Sequence, residues 1–195
     1  MRRSVVLLFF LLLVAGAVSV RAQVAASATA RQFSITAGGM ASIFQPDFEG
    51  DWQPPNFQNP IAHASPYALF GAGAYVDVRL SRWVQLEAEG RWLRLNQYGG
   101  ISQDNYLIGP RIPVFHFLRS SVYAKALGGC AKMNFDSLGD KGTFTDLAFG
   151  GGMDMKLTKR LSLRAADFEY QYYPRWSNSS LSPFGASVGI GYKLF

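Results

Sequence analysis

His63 is the side chain best suited to acid–base chemistry in this sequence, because acids and a hydroxyl group lie close to it. Asp47, Glu49 and Asp51 precede it in one polar stretch, and Ser65 follows two residues later. A histidine can activate a serine when the two side chains approach within about 3 Å. Spacing alone leaves two interpretations, a solvated loop histidine and a catalytic base, and the first requires fewer assumptions.

The other motifs that suggest chemistry are incomplete. Gly71 and Gly73 resemble the start of a dinucleotide-binding loop, but no third glycine or helical pattern follows them. The glycines at 150–152 lack the context of a phosphate loop and are expected to leave room for large neighbouring side chains. No group of His, Cys, Asp and Glu has metal-ligand spacing. We therefore expect a non-enzymatic protein without a cofactor or metal.

Most other charged side chains occur at every second position of apolar segments. Residues 84–92, VQLEAEGRW, are an example, with acids and an arginine alternating with apolar residues. A period of two predicts a β-strand with one apolar and one polar face. The charges on the predicted polar faces are Asp77, Arg79, Glu87, Glu89, Arg91, Arg111, Lys125, Asp146, Asp154, Lys156 and Arg164.

Eight segments have this strand character, each about 10–14 residues long, whereas strands of soluble sheets usually have about 5–6. Outside the N-terminus, no apolar run approaches the roughly 20 residues of a membrane-spanning helix. The sequence therefore predicts an all-β fold. The segments are Phe33–Phe44, Tyr67–Leu80, Trp83–Leu95, Gln103–Phe115, Ser121–Met133, Thr143–Leu157, Leu161–Tyr173 and Phe184–Leu194.

Two of these segments depart from a regular ladder. Pro110 and Pro113 cannot donate backbone hydrogen bonds, so the fourth segment is predicted to contain a bulge or a frayed end. In the seventh segment, Asp167 and Glu169 are out of phase with the charge before them. A β-bulge at Ala165-Ala166 would return both acids to the polar face.

The N-terminus has the form of a secretory signal peptide. Arg2-Arg3 precede an apolar core at 5–18, and Val20-Arg21-Ala22 forms a small-x-Ala cleavage site, with Ala26–Ala28 as an alternative. Without its three arginines the chain has 16 basic and 13 acidic residues, which are scattered, so nucleic-acid binding is not expected. The predicted organisation is a signal peptide (1–22), a short N-terminal segment (23–32) and one β-domain (33–195).

Short connections alternate with longer, more polar ones. The short connections are Ser81-Arg82, His116–Ser120 and Thr158–Arg160, and the longer ones are Gln45–Pro66, Asn96–Ser102, Asn134–Gly142 and Pro174–Pro183. Transmembrane barrels alternate tight periplasmic turns with long outer loops in this way. Aromatic residues gather at both predicted rims, as in the girdles of such barrels. They are Trp83, Phe115 and Phe117 at one end, and Trp92, Tyr98, Tyr106, Tyr172, Tyr173 and Trp176 at the other.

The last segment carries the most specific motif. Its pattern Ser187-x-Gly189-x-x-Tyr192-x-Leu194, followed by Phe195, resembles the C-terminal assembly signal of bacterial outer-membrane barrels. Together with the leader, strands and turns, the mature chain resembles the small OmpA/OmpX-like outer-membrane β-barrels. This resemblance implies an eight-stranded antiparallel up-and-down transmembrane β-barrel in the bacterial outer membrane. It also implies contact with membrane lipid and lipopolysaccharide, and with the barrel-assembly machinery during biogenesis.

The charged faces must point inward in such a barrel, because charges facing lipid are costly. The lumen charges above number six positive and five negative. We expect them to pair and to fill the narrow lumen. The resemblance then implies a structural or surface-interaction role, with loop 45–66 as the contact for a surface ligand. The alternatives are a narrow porin-like channel and, since some eight-stranded relatives modify lipid A with a histidine near the outer rim, a lipid A-modifying enzyme using His63.

Overall fold

The fold is described from a computed structural model in which residues 33–46, 68–96, 101–135, 140–176 and 179–194 are described. The predicted signal peptide, the segment 23–32, Phe195, and His63 with its neighbouring acids lie outside these residues. Predictions about them remain predictions.

The described residues form nine antiparallel strands. Eight of them close into a barrel in chain order, because β1 pairs with β9 and β6 pairs with β7, while the short β8 pairs with β7 alone. The eight-stranded barrel predicted from the sequence is therefore confirmed. The strands are β1 (Ser34–Gln45), β2 (Leu69–Arg79), β3 (Gln85–Leu93), β4 (Ile101–Phe117), β5 (Ser120–Phe135), β6 (Asp140–Lys156), β7 (Leu161–Trp176), β8 (Ser179–Leu181) and β9 (Phe184–Lys193). In the described part of the chain, no helix is long and apolar enough to cross a membrane.

Four strands are longer than expected. β4 to β7 have 16 or 17 residues, because the hydrogen-bond ladder continues into segments that the sequence assigns to connections. Ile101 pairs with Phe135 at one end of the β4–β5 hairpin, and Phe117 pairs with Ser120 at the other. A bilayer requires only about 9–11 residues of a tilted strand. We call the end with connections 80–84, 118–119 and 157–160 the short-turn end, and the opposite end the long-loop end.

The barrel wall has an apolar outer face. Large apolar side chains on alternate positions remain exposed, including Val76, Ile108, Phe149, Val188 and Ile190. The residues between them point into the lumen and are mostly buried. On β4, for example, Ile108 is 53% exposed and its neighbour Leu107 only 3%. This is the alternation that a membrane barrel requires, and the charges predicted to face the lumen occupy the inward positions of these strands.

Both predicted irregularities are present. The β4–β5 register shifts between Pro113 and Phe115. The β7–β9 register shifts between Arg164 and Asp167, so that one extra residue of β7 is accommodated there. After this bulge Asp167 and Glu169 point into the lumen and are buried.

The C-terminal strand closes the barrel between β1 and β7. Ser187 points inward, and its hydroxyl lies 2.8 Å from that of Ser42 on β1. Gly189 also lies on the lumen face, while Tyr192 and Leu194 face outward and are exposed. The motif residues in the described part therefore alternate between lumen and membrane, as a wall strand requires.

Aromatic side chains occupy both rims. Trp83, Phe115 and Phe117 are exposed at the short-turn end. At the other rim, the indole N–H of Trp92 donates to the Tyr106 hydroxyl at 3.1 Å, and Tyr172 is also exposed. Tyr173 lies at the same end but does not belong to the aromatic girdle that was predicted there. It is 0% exposed and lies in the lumen, because adjacent residues of a strand face opposite sides.

An apolar cluster fills the lumen at the long-loop end. The sequence does not predict this feature, because apolar side chains of a membrane barrel are expected to face lipid. The three-residue β8 contributes Leu181 from the last long connection. The buried cluster consists of Phe44, Leu69, Leu93, Ile101, Ala131, Met133, Tyr173 and Leu181.

Candidate functional site

The candidate site is a layer of buried charges inside the barrel. Each residue lies on the inward parity of its strand, so that side chains distant in sequence meet across the lumen. β2 to β7 all contribute. The layer contains the cations Arg91, Arg111, Lys125 and Arg164 and the acids Asp77, Glu87, Glu89, Asp154, Asp167 and Glu169.

Lys125 lies at the centre of this layer. Its Nζ is 3.2 Å from Glu87, 3.1 Å from Glu89, 2.8 Å from Asp167 and 2.9 Å from Glu169. The Lys125 side chain is itself fully buried. An ammonium group has three donors, so one cation is shared among four carboxylates.

Two arginines extend the layer toward the short-turn end. Arg164 contacts Asp77 and Glu87, each at 3.0 Å, and its guanidinium lies 3.6 Å from the centre of the Tyr75 ring. Arg111 contacts Asp77 at 2.5 Å and also pairs with Asp154. Aromatic faces attract guanidinium groups and limit their movement, so Tyr75 restrains Arg164.

Tyr123 has the equivalent position beneath Arg111. The Arg111 guanidinium lies 3.5 Å from the centre of the Tyr123 ring. Glycine provides space for these rings. A Cβ at Gly38 would overlap the Tyr75 ring, and one at Gly152 would approach the Tyr123 hydroxyl to 2.6 Å. At Gly152 this is the role predicted for the glycine run 150–152.

Arg91 joins the charge layer to the apolar cluster. Its guanidinium binds Glu169 through two hydrogen bonds of 2.8 and 3.2 Å, and also donates to Glu89 at 2.9 Å. The same group lies 4.5 Å from the ring centre of Phe44. Paired, two-point contacts between guanidinium and carboxylate are the geometrically specific form of this interaction.

Amides and a phenol form a second polar group beside Arg91. Tyr173 donates to Gln171 at 2.6 Å and accepts from Gln103 at 2.8 Å, while the Asn105 amide donates to Asp146 at 2.7 Å. The Gln171 amide donates to Glu169 at 2.7 Å and thereby joins this group to the charge layer.

Three residues predicted for the charge network lie outside its ion pairs. Asp146 is fully buried but is held by Asn105, and no cation of the described residues lies within ion-pair distance of it. Arg79 and Lys156 line a cavity at the short-turn end and likewise make no ion pair within the described ranges. Their strands end there, so these long side chains reach water instead of the buried acids.

The network also contains residues that the predicted set omits. Asp167 and Glu169 enter through the bulge of β7, and the out-of-phase acids were the signal that pointed to it. Arg94 pairs with Asp104 near the long-loop end. This pair could not be predicted from parity, because Arg94 lies beyond the end of β3.

The acids of the layer have the composition of a cation site. One carboxylate oxygen from each of Glu87, Glu89 and Asp167 lies within 4.8 Å of the other two. Lys125 Nζ contacts all three residues. The ammonium therefore takes the central position that a bound cation would have.

Comparisons with known proteins agree on the class. A family model described as "Outer membrane protein beta-barrel domain" matches residues 10–193. Among solved structures, the chain is similar to neisserial surface protein A (NspA), with 11% identity and a TM-score of 0.59 over 82% of this chain and 96% of that one. A sequence comparison with curated proteins gives no match.

Two structures from Pseudomonas aeruginosa are also similar. The N-terminal β-barrel domain of OprF has 13% identity and a TM-score of 0.55, covering 83% of this chain and 97% of that one. OprG has 11% identity and a TM-score of 0.54, covering 84% and 97%. At such identities the similarity concerns the fold.

Proposed function

Since this chain belongs to the family of outer-membrane β-barrel domains and has its place in the bacterial outer membrane, we propose that it has a structural or surface-interaction role. In this proposal its own side chains close the lumen. The barrel then anchors the long-loop end at the cell surface and passes no solute.

The main support for this proposal is that side chains fill most of the lumen. From the long-loop end inward there is an apolar cluster, then the amide group around Tyr173, then the charge layer around Lys125. Eight strands enclose a space that side chains can fill. Buried ions of both signs in direct contact favour a closed packing over a water-filled path.

The charge pattern also separates this proposal from a porin-like channel. A selective pore usually displays one sign of charge around a ring. Here each of the four buried cations contacts at least one carboxylate, for example Arg91 with Glu169 and Arg111 with Asp77. Cations and carboxylates that are paired in this way leave few charged groups free to bind a passing solute.

A lipid A-modifying activity is the remaining alternative and depends on His63. The only other histidine, His116, lies in β4 and lines the cavity at the short-turn end. The two predicted locations are on opposite sides of the membrane, so they would not form one site. Assay of lipid A from cells that produce the protein or its His63→Ala variant tests this activity directly.

We further propose outer-membrane lipid, lipopolysaccharide and the assembly machinery as partners, with loop 45–66 as the contact for a surface ligand. That loop contains five prolines, three acids and three aromatic residues, Phe48, Trp52 and Phe57. Proline limits the number of conformations of a loop, which lowers the entropic cost of ordering it on a partner.

Replacement of residues 47–66 by a short Gly-Ser linker tests the surface role. Binding of the refolded protein to immobilised lipopolysaccharide should fall strongly, while the faster migration of unheated protein on gels, which reports the closed barrel, should persist. Replacement of residues 136–139 by Gly and Ser is the matched control. Equal binding by both variants and the unaltered protein would exclude loop 45–66 as the contact.

A further inference from the structure

The lumen opens into a cavity at the short-turn end. Its volume is 340 Å³, and residues from all eight barrel strands and from two short turns line it. Binding sites for small molecules usually measure about 300–1,000 Å³. With the short turns on the periplasmic side, the cavity faces the periplasm. We call it the periplasmic vestibule.

The rim of the vestibule is basic. Arg79, Lys156 and Lys193 have the inward parity of their strands, and Arg119 and Lys159 belong to the turns. None of these five makes an ion pair within the described ranges, where every ion pair involves another cation. Arg160 of the second turn also lines the vestibule and donates to the Tyr192 hydroxyl at 3.1 Å. Six cations around one opening repel each other, and this repulsion is relieved when an anion binds between them.

The acids that line the vestibule are already engaged. Asp77 contacts Arg111 and Arg164, and Asp154 pairs with Arg111. They lie at the inner end, next to the charge layer. An anion in the vestibule would therefore be held toward the rim, by the cations that have no carboxylate partner.

An independent feature of the inner end also points to a ligand. Tyr123 lines the vestibule, is 3% exposed, and its hydroxyl has no hydrogen-bond partner among the described residues. Buried hydroxyl groups are normally hydrogen-bonded. A phenol O–H is a donor, and here it lies at the inner end of a cavity whose rim is cationic.

We propose that the periplasmic vestibule binds a small phosphate-bearing anion, with Arg79, Lys156 and Lys193 contacting the phosphate oxygens and Tyr123 donating from below. Guanidinium and ammonium groups form strong, charge-assisted hydrogen bonds to phosphate. The phosphate has two possible sources, a soluble periplasmic compound or the headgroup of an anionic phospholipid. This activity goes beyond a structural role and does not require the lumen to conduct.

Isothermal titration of the refolded full mature chain in a non-ionic detergent tests the proposal, with pyrophosphate as the probe. We expect saturable binding with one site per barrel. The double variant Lys156→Gln/Lys193→Gln should weaken it at least tenfold, because two charge-assisted contacts are lost. Tyr123→Phe should weaken it less, since it removes one neutral donor.

Arg82→Gln is the matched control. Arg82 is an exposed cation at the same end of the barrel, but it lies over the Trp83 ring and does not line the vestibule. This variant should bind pyrophosphate as the unaltered protein does. Gel migration without heating confirms that each variant forms the barrel.

A second titration with short-chain phosphatidylglycerol distinguishes the two sources. Saturable binding of pyrophosphate supports a soluble compound, and saturable binding of the lipid alone supports a headgroup, provided that Lys156→Gln/Lys193→Gln weakens it. The proposal is overturned if neither probe binds saturably, or if Arg82→Gln weakens binding as much as the double variant.

Discussion

Lys125 is the residue whose environment differs most from that of an ordinary lysine. Its ammonium is shared among four carboxylates contributed by β3 and β7. Charges inside a protein are costly unless they are paired and hydrogen-bonded. Lys125 thus keeps four acids in close proximity that would otherwise repel each other.

Replacement of Lys125 by Gln should therefore destabilise the barrel by about 3–5 kcal/mol, the usual cost of removing one partner from a buried pair. Urea unfolding of the refolded protein, followed by gel migration, measures this change. Lys132→Gln on the outward face of the same strand is the control, because that cation lies 5.7 Å from the ring centre of Tyr106 and makes no ion pair among the described residues. Similar unfolding midpoints for the two variants would contradict the assigned role of Lys125.

The predictable part of this layer is the face on which each charge lies. Alternation in β3 is enough to direct Glu87, Glu89 and Arg91 inward. The ion-pair partner of each charge is not predictable in this way, because it depends on the shear and the diameter of the closed barrel. Arg91 meets Glu169, 78 positions away, and no local pattern specifies that distance. Similarly, the short-turn location of Arg79 is clear from the sequence, but whether its side chain turns toward Asp77 or toward water depends on packing.

At the scale of elements, the bulge of β7 decides which side its acids face. One extra residue between Arg164 and Asp167 restores the inward parity of Asp167 and Glu169. In a strict ladder both acids would point into lipid, where a charged side chain is strongly disfavoured. The bulge is therefore favoured energetically, because it keeps both carboxylates out of the lipid.

Deletion of one alanine from Ala165-Ala166 should accordingly be tolerated. The shortened strand can pair without the bulge, and Arg164 and Asp167 then still face the lumen because one residue separates them. Deletion of Phe168 is the contrasting variant, since it makes Asp167 and Glu169 adjacent and forces one of them, or all residues beyond, to the opposite face. Gel migration of refolded protein should report a barrel for the alanine deletion only. If the Phe168 deletion folds equally well, parity is not the constraint on β7.

The outer face provides a second test at this scale. Ile108→Arg places a cation on the lipid face near the middle of β4 and should cost about 2–4 kcal/mol if it lies near the bilayer midplane. Leu118→Arg makes a comparable change in a short turn, where the side chain is 90% exposed, and should cost little. Unfolding in phospholipid vesicles compares the two variants. Equal stabilities would mean that Ile108 does not face lipid.

The ends of the strands and the apolar cluster could not be predicted from the alternation of apolar and polar residues. The eight wall strands are recognisable because alternation persists across each of them. Lumen residues such as Met133 and Leu93 are apolar like the membrane face, so composition does not distinguish them from lipid contacts. The three-residue β8 is too short for a period of two to be evident, yet it brings Leu181 into this cluster.

The whole molecule is asymmetric along the barrel axis. The long-loop end is filled by apolar side chains, the centre by amides and paired charges, and the short-turn end opens into the basic vestibule. Acids outnumber cations in the buried layer, six to four. The cations at the rim lie between this net negative interior and the periplasm. An anion that approaches from the periplasm therefore meets their positive charge first.

Because of this arrangement the barrel should conduct little or no steady current. An ion entering from the periplasm meets the Arg111 and Arg164 pairs and then Lys125, and beyond them the tight contacts of Tyr173 and Phe44. Passage would require separating buried ion pairs and wetting an apolar region, both of which are costly. Planar-bilayer recordings of pure refolded protein measure this directly.

Arg91→Ala is the informative comparison for these recordings. Its side chain bridges the charge layer and the apolar cluster through Glu169 and Phe44, so its removal should leave space for water and raise the frequency of brief openings. Lys132→Gln, which alters only the outward face, should leave the recordings unchanged. Large, stable, ohmic steps from the unaltered protein would contradict a lumen closed by its own side chains and would instead favour the porin-like channel.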